Sequence, residues 1–353
     1  MNYHLQWCSW ELTRQCNMDC DICLCGGLRS AGGPELSTNE ALEVCRQLAD
    51  LQVQQVILTG GEPFLRSDWD IVAAALTRRG ITVNMVTNGS LLDAYVVKRV
   101  KEAGISQVSI SVDGTQPVHD AIRAPGSFKM CCRAIQLLKG AGIPFRVLST
   151  VTRQNEANLP ELKNELIQMG VTHWGIQLGL AFGNLVRHRE DMLSPRAVGE
   201  LIECCYSTTL EGRLKIDLSE SIGYYTCKEA IIRSHAMGTS RIPVFEGCPA
   251  GISALSIGYD GTIFGMSMCV SKFSEGNVRE TSIRQIWESS TAFAWRRRLK
   301  PTDLKGYCRN CPYVSACLGG CPAVRYATTG DLYGENRYCM YHLQKQEVLP
   351  YPN

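Results

Sequence analysis

Between residue 37 and about residue 190 the apolar positions keep two alternating rhythms. Short β-branched runs, "QVILTGGEP" (55–63), "ITVNMVTNG" (81–89), "QVSISVDG" (107–114), "FRVLSTVT" (145–152) and "HWGIQLGL" (173–180), read as strands. Between them lie stretches of helical spacing: "STNEALEVCRQLADLQ", "DWDIVAAALTRRG", "DAYVVKRVKEAG", "FKMCCRAIQLLKGAG" and "LPELKNELIQMG". Ser37 with Glu40 three residues on predicts a capping box, and Gly80 and Gly104 close two of the helices. With "CSWELT" (8–13) there are six strands alternating with helices. That pattern predicts an α/β fold, a partial (β/α)6 barrel of parallel strands with right-handed crossovers.

Ligands of such sheets gather outside the carboxyl ends of the strands. Here those ends carry "TGGEP", "TNG" and "SVDG". After residue 190 the alternation weakens. "SPRAVGELIECCYSTTLEG" reads as a helix, "ALSIGYDGTIFGM" as a hairpin around Asp260-Gly261, and "SIRQIWESSTAFAWRRRLK" as an amphipathic helix. Three regions are expected: the partial barrel over 1–190, a helical bridge over 191–245, and a cysteine-rich lobe over 246–353, with a β-hairpin and a helix held by metal centres.

Composition adds one anomaly. A net charge of +2 predicts no capture by nucleic acid or anionic membrane, and no apolar run approaches the ~20 residues of a membrane span. The start, "MNYHLQWCSW", lacks a signal-peptide pattern, so a cytoplasmic protein is expected. Cysteine is the outlier, at 18 residues. In a reducing compartment such an excess reads as metal binding or catalysis. Cys45, Cys131, Cys132, Cys204 and Cys205 lie on apolar helical patterns and read as buried small hydrophobes.

The remaining thiols cluster. "CNMDCDIC" places Cys16, Cys20 and Cys23 three and then two positions apart, just after the first strand. Zinc is a competitor, because thiolate spacing alone does not separate it from iron. Three thiolates from one loop would, however, leave one corner of a [4Fe–4S] cubane open to a substrate or cofactor. "CRNCPYVSACLGGC" with "NRYC" supplies Cys308, Cys311, Cys317, Cys321 and Cys339.

The C-x3-C-x2-C loop, with Ile22 before its last cysteine, resembles the signature of radical S-adenosylmethionine (SAM) enzymes over residues 8–180. The resemblance implies that Cys16, Cys20 and Cys23 hold a [4Fe–4S] cluster whose fourth iron chelates SAM, and that one-electron cleavage gives a 5′-deoxyadenosyl radical. It implies SAM contacts from Gly60, Gly61, Glu62 and Pro63, from Asn88, from Ser111 and Asp113, and from Arg123 at the SAM carboxylate. It assigns no role to Cys8 or Cys25; a plain loop thiol is expected for Cys25.

The C-terminal cysteines resemble the SPASM extension of radical SAM maturases, which binds one or two auxiliary [4Fe–4S] clusters. Carried over, Cys308, Cys311, Cys317 and Cys339 would hold auxiliary cluster II. Cluster I would draw on Cys248, Cys269 and Cys321 with Cys227 as a fourth candidate, or keep an open iron, or be absent. The family places a cysteine five positions after the hairpin glycine, where this chain has Met266, and Cys269 is the nearest substitute.

Members of this branch mostly modify peptides. The resemblance therefore implies an oxidoreductase that abstracts hydrogen from a ribosomally synthesised peptide and leaves a crosslink, an epimerised centre or an oxidised residue. An external one-electron reductant such as flavodoxin or ferredoxin is implied. The chain starts at the first strand, so leader recognition is expected from a separate leader-binding protein, or there is no leader. A small-molecule substrate for a dehydrogenation or rearrangement, and a non-catalytic iron–sulfur electron carrier, are the alternatives. Asp113, His119, Tyr224, Cys227 and Tyr338 are catalytic candidates, with Glu11 and Tyr225 beside them, and none is privileged by sequence. Trp174 and Gln177 could line the substrate face.

Overall fold

The computed structural model describes residues 3–26, 34–239, 245–265 and 273–346. The six expected strands are present as β1 (Trp7–Glu11), β2 (Gln55–Thr59), β3 (Thr82–Thr87), β4 (Gln107–Ser111), β5 (Phe145–Val151) and β6 (His173–Leu178). They pair in chain order and all in parallel. Their outer face is covered by α1 (Thr38–Asp50), α2 (Trp69–Thr77), α3 (Ala94–Glu102), α5 (Ser127–Gly140) and α6 (Leu159–Gln168), while the short α4 (Gln116–Ile122) packs Ile122 against the loop after β1. Ser37 and Glu40 form the expected capping box on α1, whose buried side is Ala41, Val44, Cys45 and Leu48.

The stretch expected as a helical bridge holds α7 (Pro195–Glu211) and α8 (Cys227–Met237), and between them a strand, β7 (Lys215–Leu218). Ile216 and Leu218 point inward while Lys215 and Asp217 face solvent, so β7 is an amphipathic edge strand of only four residues. It pairs in parallel with β6.

The expected hairpin forms from β8 (Ala254–Ile257) and β9 (Thr262–Phe264). Its turn needs Gly261 at φ +86°, and the Asp260 carboxylate accepts the Thr262 N–H at 3.0 Å. The hairpin is not a separate sheet. β8 lies parallel to β1 and extends the barrel sheet on the side opposite β7, with β10 (Ser274–Asn277) outermost. The C-terminal cysteine lobe is thereby hung on the same ten-stranded sheet as the first cysteine loop.

Core packing accounts for most of the remaining thiols. Cys8, Cys45, Cys131 and Cys205 are buried among apolar side chains, and Cys132 and Cys204 pack against them. Burial pushes the Cys45 and Cys131 thiols up to about 12, so both stay protonated and behave as small hydrophobes. Among the described residues no helix is long and apolar enough to cross a membrane.

Candidate functional site

The carboxyl ends of β2 to β6 converge on one cavity. It is lined by Cys16, Cys20 and Cys23 from the loop after β1, and by Gly60, Gly61, Asn88, Ser111, Thr150 and Gln177 from the strand ends, with Arg123. The structure thus brings the three loop thiols together with five of the eight residues expected to contact SAM. Burial pushes the Cys20 thiol up to about 11, against the pull of Arg123 toward the thiolate. Burial also raises Cys16, although the backbone N–H of Met18 favours its thiolate.

The cysteine loop is pinned at several points. Met18, Cys20 and Ile22 form a small apolar cluster with Ile122 and Leu185, which gives the residue before the third cysteine its packing role. The Asn184 side-chain amide donates to the Cys20 carbonyl at 2.8 Å, and its backbone N–H donates to the Cys23 carbonyl at 2.9 Å. Next to it, Gly183 (φ +54°) abuts the Cys23 and Leu24 carbonyls so closely that a Cβ would collide with both. The side-chain amide of Asn88 donates to Asn17 Oδ1 at 2.9 Å, tying the end of β3 to the same loop.

"TGGEP" works mainly from behind. Gly61 donates its N–H to Thr13 O (2.8 Å) and Glu62 to Gln15 O (2.7 Å), docking the turn on the segment that leads into the cysteines. A Cβ at Gly60 or Gly61 would strike those backbones. Glu62 is fully buried, and its carboxylate accepts from Thr87 Oγ1, Asn88 N and Phe64 N at 2.8, 2.8 and 3.3 Å. Burial outweighs these donors and pushes its pKa up to about 7. Glu62 and the buried Pro63 stand behind the cavity wall; the two glycines form the wall itself.

Arg123 reaches the cavity with its Nε held by Asp113 Oδ2 at 2.5 Å. Asp113 is fully buried and also accepts the Thr150 N–H at 2.8 Å, so it orients Arg123 from behind. His119 is equally buried: its Nδ1 accepts the Asp113 N–H at 3.1 Å, which places the ring proton on Nε2, 3.8 Å from Cys131 Sγ. Burial and then Arg123 hold its pKa down to about 4, so the ring is neutral at physiological pH. Gln177 lines the cavity and donates to Thr150 Oγ1 at 2.6 Å, whereas Trp174 is core, bonded through Nε1 to Ser149 Oγ. Cys25 Sγ donates to Glu11 Oε1 at 2.9 Å, and Cys25 lies between the thiol cavity and a neighbouring polar one that Glu11 also lines.

A second cavity, in the C-terminal lobe, is lined by Cys308, Cys311, Cys317 and Cys339 together. None of the four is in a disulfide. Burial pushes Cys317 and Cys339 up to about 11 and about 12, and neighbouring thiolates of the set add to this. Four such thiols would repel one another as anions unless a cation joined them. Cys308 Sγ accepts the Asn336 N–H at 3.3 Å. The ring of Tyr307, stacked on His342, closes one side, and its hydroxyl is buried without a partner. The donor set and this orphaned hydroxyl fit a polar group of iron and sulfide better than an apolar filling.

Cys248 and Cys321 are electrostatic neighbours: burial and then the Cys321 thiolate raise Cys248 to about 12. Cys269 and Met266 lie outside the described residues. Cys227 is exposed at the first position of α8. Tyr224 lines the second cavity, accepting the Cys321 N–H at 3.0 Å and donating to Glu220 O at 2.7 Å. Tyr225, whose ring stacks on Tyr313, lines it too. Tyr338 is buried and donates to Leu193 O. Arg325 is also buried; it donates to the carbonyls of Leu318, Gly320 and Leu332, and the thiolates of Cys321 and Cys308 are the charges that most favour its cationic form. Among the described residues no three Cys, His, Asp or Glu donors form a group able to hold a single metal ion.

The parallel β/α sheet thus collects three loop thiols at its strand ends and is joined to a lobe with a four-thiol cavity. Residues 10–166 match the radical SAM superfamily, and residues 248–312 match an iron–sulfur cluster-binding SPASM domain. The chain is 30% identical over 327 residues to a PqqA peptide cyclase of Granulibacter bethesdensis, covering 91% of this chain and 83% of the relative. It is 29% identical over 349 residues to an AdoMet-dependent heme synthase of Methanosarcina barkeri, covering 96% and 97%. Its fold resembles Streptococcus suis SuiB bound to the precursor peptide SuiA, with TM-score 0.72 at 14% identity, over 94% of this chain and 75% of that one. The chain belongs to the radical SAM superfamily and carries a C-terminal SPASM domain. Membership implies an enzyme that binds SAM and iron–sulfur clusters.

Proposed function

We propose that this chain is a radical SAM/SPASM maturase that removes a hydrogen atom from a ribosomally made peptide and leaves a crosslink, an epimerised centre or an oxidised residue. The observation that carries the catalytic part is the single cavity on which Cys16, Cys20, Cys23 and Arg123 meet the strand ends. When bound, SAM on a reduced [4Fe–4S] cluster supplies a 5′-deoxyadenosyl radical. The chain's own part is to hold that cluster through Cys16, Cys20 and Cys23 and to receive the SAM carboxylate at Arg123, oriented by Asp113. The glycine turn at Gly60 and Gly61 and the polar ends at Asn88 and Ser111 form the remaining SAM wall. Cys308, Cys311, Cys317 and Cys339 would hold auxiliary cluster II, and Cys248 and Cys321 would contribute to cluster I. Electrons would come from a flavodoxin- or ferredoxin-type donor.

The peptide reading is supported by the peptide cyclase relative, which aligns over most of both chains. A second reading, a tetrapyrrole substrate, is favoured by the heme synthase relative, which aligns over nearly its whole length. Anaerobic reconstitution, reduction and addition of SAM test the enzyme: 5′-deoxyadenosine is expected from the wild type and none above background from Cys16→Ala. Equal yields from both would sink the assignment. Mass spectrometry of peptides encoded beside the gene, with the reaction run in D2O so that an epimerised centre gains a deuteron, in parallel with an iron porphyrin, separates the readings. Consumption of the porphyrin with every peptide unchanged would replace the first by the second.

A further inference from the structure

The four-thiol cavity contains one polar atom that the polypeptide leaves unmatched. Tyr307 Oη is buried with no hydrogen-bond partner, although Tyr307 lines the cavity with Cys308, Cys311, Cys317 and Cys339. A buried hydroxyl in that state is destabilising, and orphans of this kind point to an acceptor outside the chain. The ring cannot easily swing away. It stacks on His342 with centroids 3.4 Å apart and planes 9° from parallel. Tyr307 and Cys308 share one helical turn, Gly306–Arg309. A donor to this sulfur set already exists, the Asn336 N–H on Cys308 Sγ.

We propose that Tyr307 donates a hydrogen bond to a sulfur of the auxiliary cluster held by these four cysteines and thereby sets its reduction potential. The proposal rests on the reading that this cavity holds a cluster. A donor stabilises the reduced, more negative state more than the oxidised one, so the tyrosine raises the potential. His342, by stacking, is a positioning residue for the phenol.

The test is Tyr307→Phe in the reconstituted full-length protein, with Tyr341→Phe as a control for another phenol on the same cavity. The readouts are iron and sulfide per chain and a potentiometric titration followed by electron paramagnetic resonance. All three proteins are prepared without the SAM cluster (Cys16→Ala, Cys20→Ala, Cys23→Ala), so that the signal is auxiliary. The expected result is unchanged iron and a lower midpoint in Tyr307→Phe alone. The reduced-to-oxidised ratio at fixed potential should fall up to about tenfold, or ~59 mV for one electron. An unchanged midpoint, an equal shift in both variants, or loss of iron in Tyr307→Phe would each overturn it. Failure of the underlying reading looks different: Cys308→Ala with Cys311→Ala would then leave iron content as in the parent.

Discussion

Asn184 donates its side-chain amide to the carbonyl of Cys20 at 2.8 Å across 164 residues of sequence, while its backbone N–H takes the carbonyl of Cys23. One residue from the turn after β6 therefore fixes two of the three cysteines in the first loop. Thiolates can share a cluster only if their backbones hold them at set separations, so Asn184 should act on cluster retention. Asn184→Ala is expected to lower the iron bound by the first site several-fold on gel filtration after reconstitution, with 5′-deoxyadenosine falling in proportion. Unchanged iron in the variant would show that the loop holds its shape without Asn184.

Gly183 carries a separate steric requirement. A Cβ there would collide with the carbonyls of Cys23 and Leu24, and φ +54° is a conformation side chains resist. Gly183→Ala should destabilise the protein by more than the ~1 kcal/mol of backbone preference alone, because the cysteine loop must also shift. Chemical denaturation of the apoprotein reads the first effect and cluster content the second. A variant as stable and as iron-rich as the wild type would mean that the close approach relaxes without cost.

The contrast between what the chain revealed and what it hid follows range of interaction. The six barrel strands were legible because each is a β-branched run between helices of clear period, and Asp260-Gly261 announced the hairpin through its own turn chemistry. β7 escaped notice because "KIDL" is four residues long with two of them charged. That β8 would pair with β1 was invisible, since only the sheet edge decides it. The three thiols and Arg123 could be named from spacing and resemblance. Asn184 and Gly183 could not, because the carbonyls that require them belong to a cysteine loop far away in sequence, whereas Trp174, a candidate for the substrate face, is core. Glu62 and Asp113 were placed at the cofactor, yet their carboxylates are spent on Thr87, Asn88, Thr150 and Arg123. Such a division of labour depends on which way a side chain turns.

His119 predicts a pH dependence of stability. Its folded pKa is depressed to about 4 from an ordinary 6.5, chiefly by burial, so the unfolded chain takes up a proton first as pH falls. The stabilisation is fully present above pH 6.5, is lost as pH falls from 6.5 toward 4, and changes no further below that. At 1.36 kcal/mol per pH unit the full loss is about 3 kcal/mol. Urea midpoints of the apoprotein over this range should show it, and His119→Gln should flatten that share of the slope. Parallel curves for variant and wild type would rule His119 out as the titrating group.

Arg325 predicts an electrostatic effect on the auxiliary thiols. Its guanidinium is buried, donates to three backbone carbonyls and has the thiolates of Cys321 and Cys308 as its main favourable charges. Arg325→Met keeps much of the volume but removes the cation. Thiolate-ligated clusters in the lobe should then be harder to reduce and bound more weakly, seen as lower iron per chain and lower midpoints. Midpoints and iron that match the wild type would make Arg325 a purely structural bracket.

Asp113 and Arg123 make the sharpest separation between stability and cofactor binding. The pair is buried, with side-chain exposures of 0% and 12%, and Arg123 alone of the two reaches the cavity. Removing one partner of a buried pair strands the other charge, at roughly 3–5 kcal/mol. Asp113→Asn should therefore be strongly destabilised, and its SAM affinity should fall because the guanidinium loses the carboxylate that aims it. Arg123→Lys keeps a charge beside Asp113 but not the fork geometry, so it should lose less stability while still binding SAM more weakly. Denaturation curves and anaerobic calorimetry with SAM distinguish the two roles. If Arg123→Lys binds SAM as well as the wild type does, the arginine serves the fold, and the SAM carboxylate must be received elsewhere on the cavity wall.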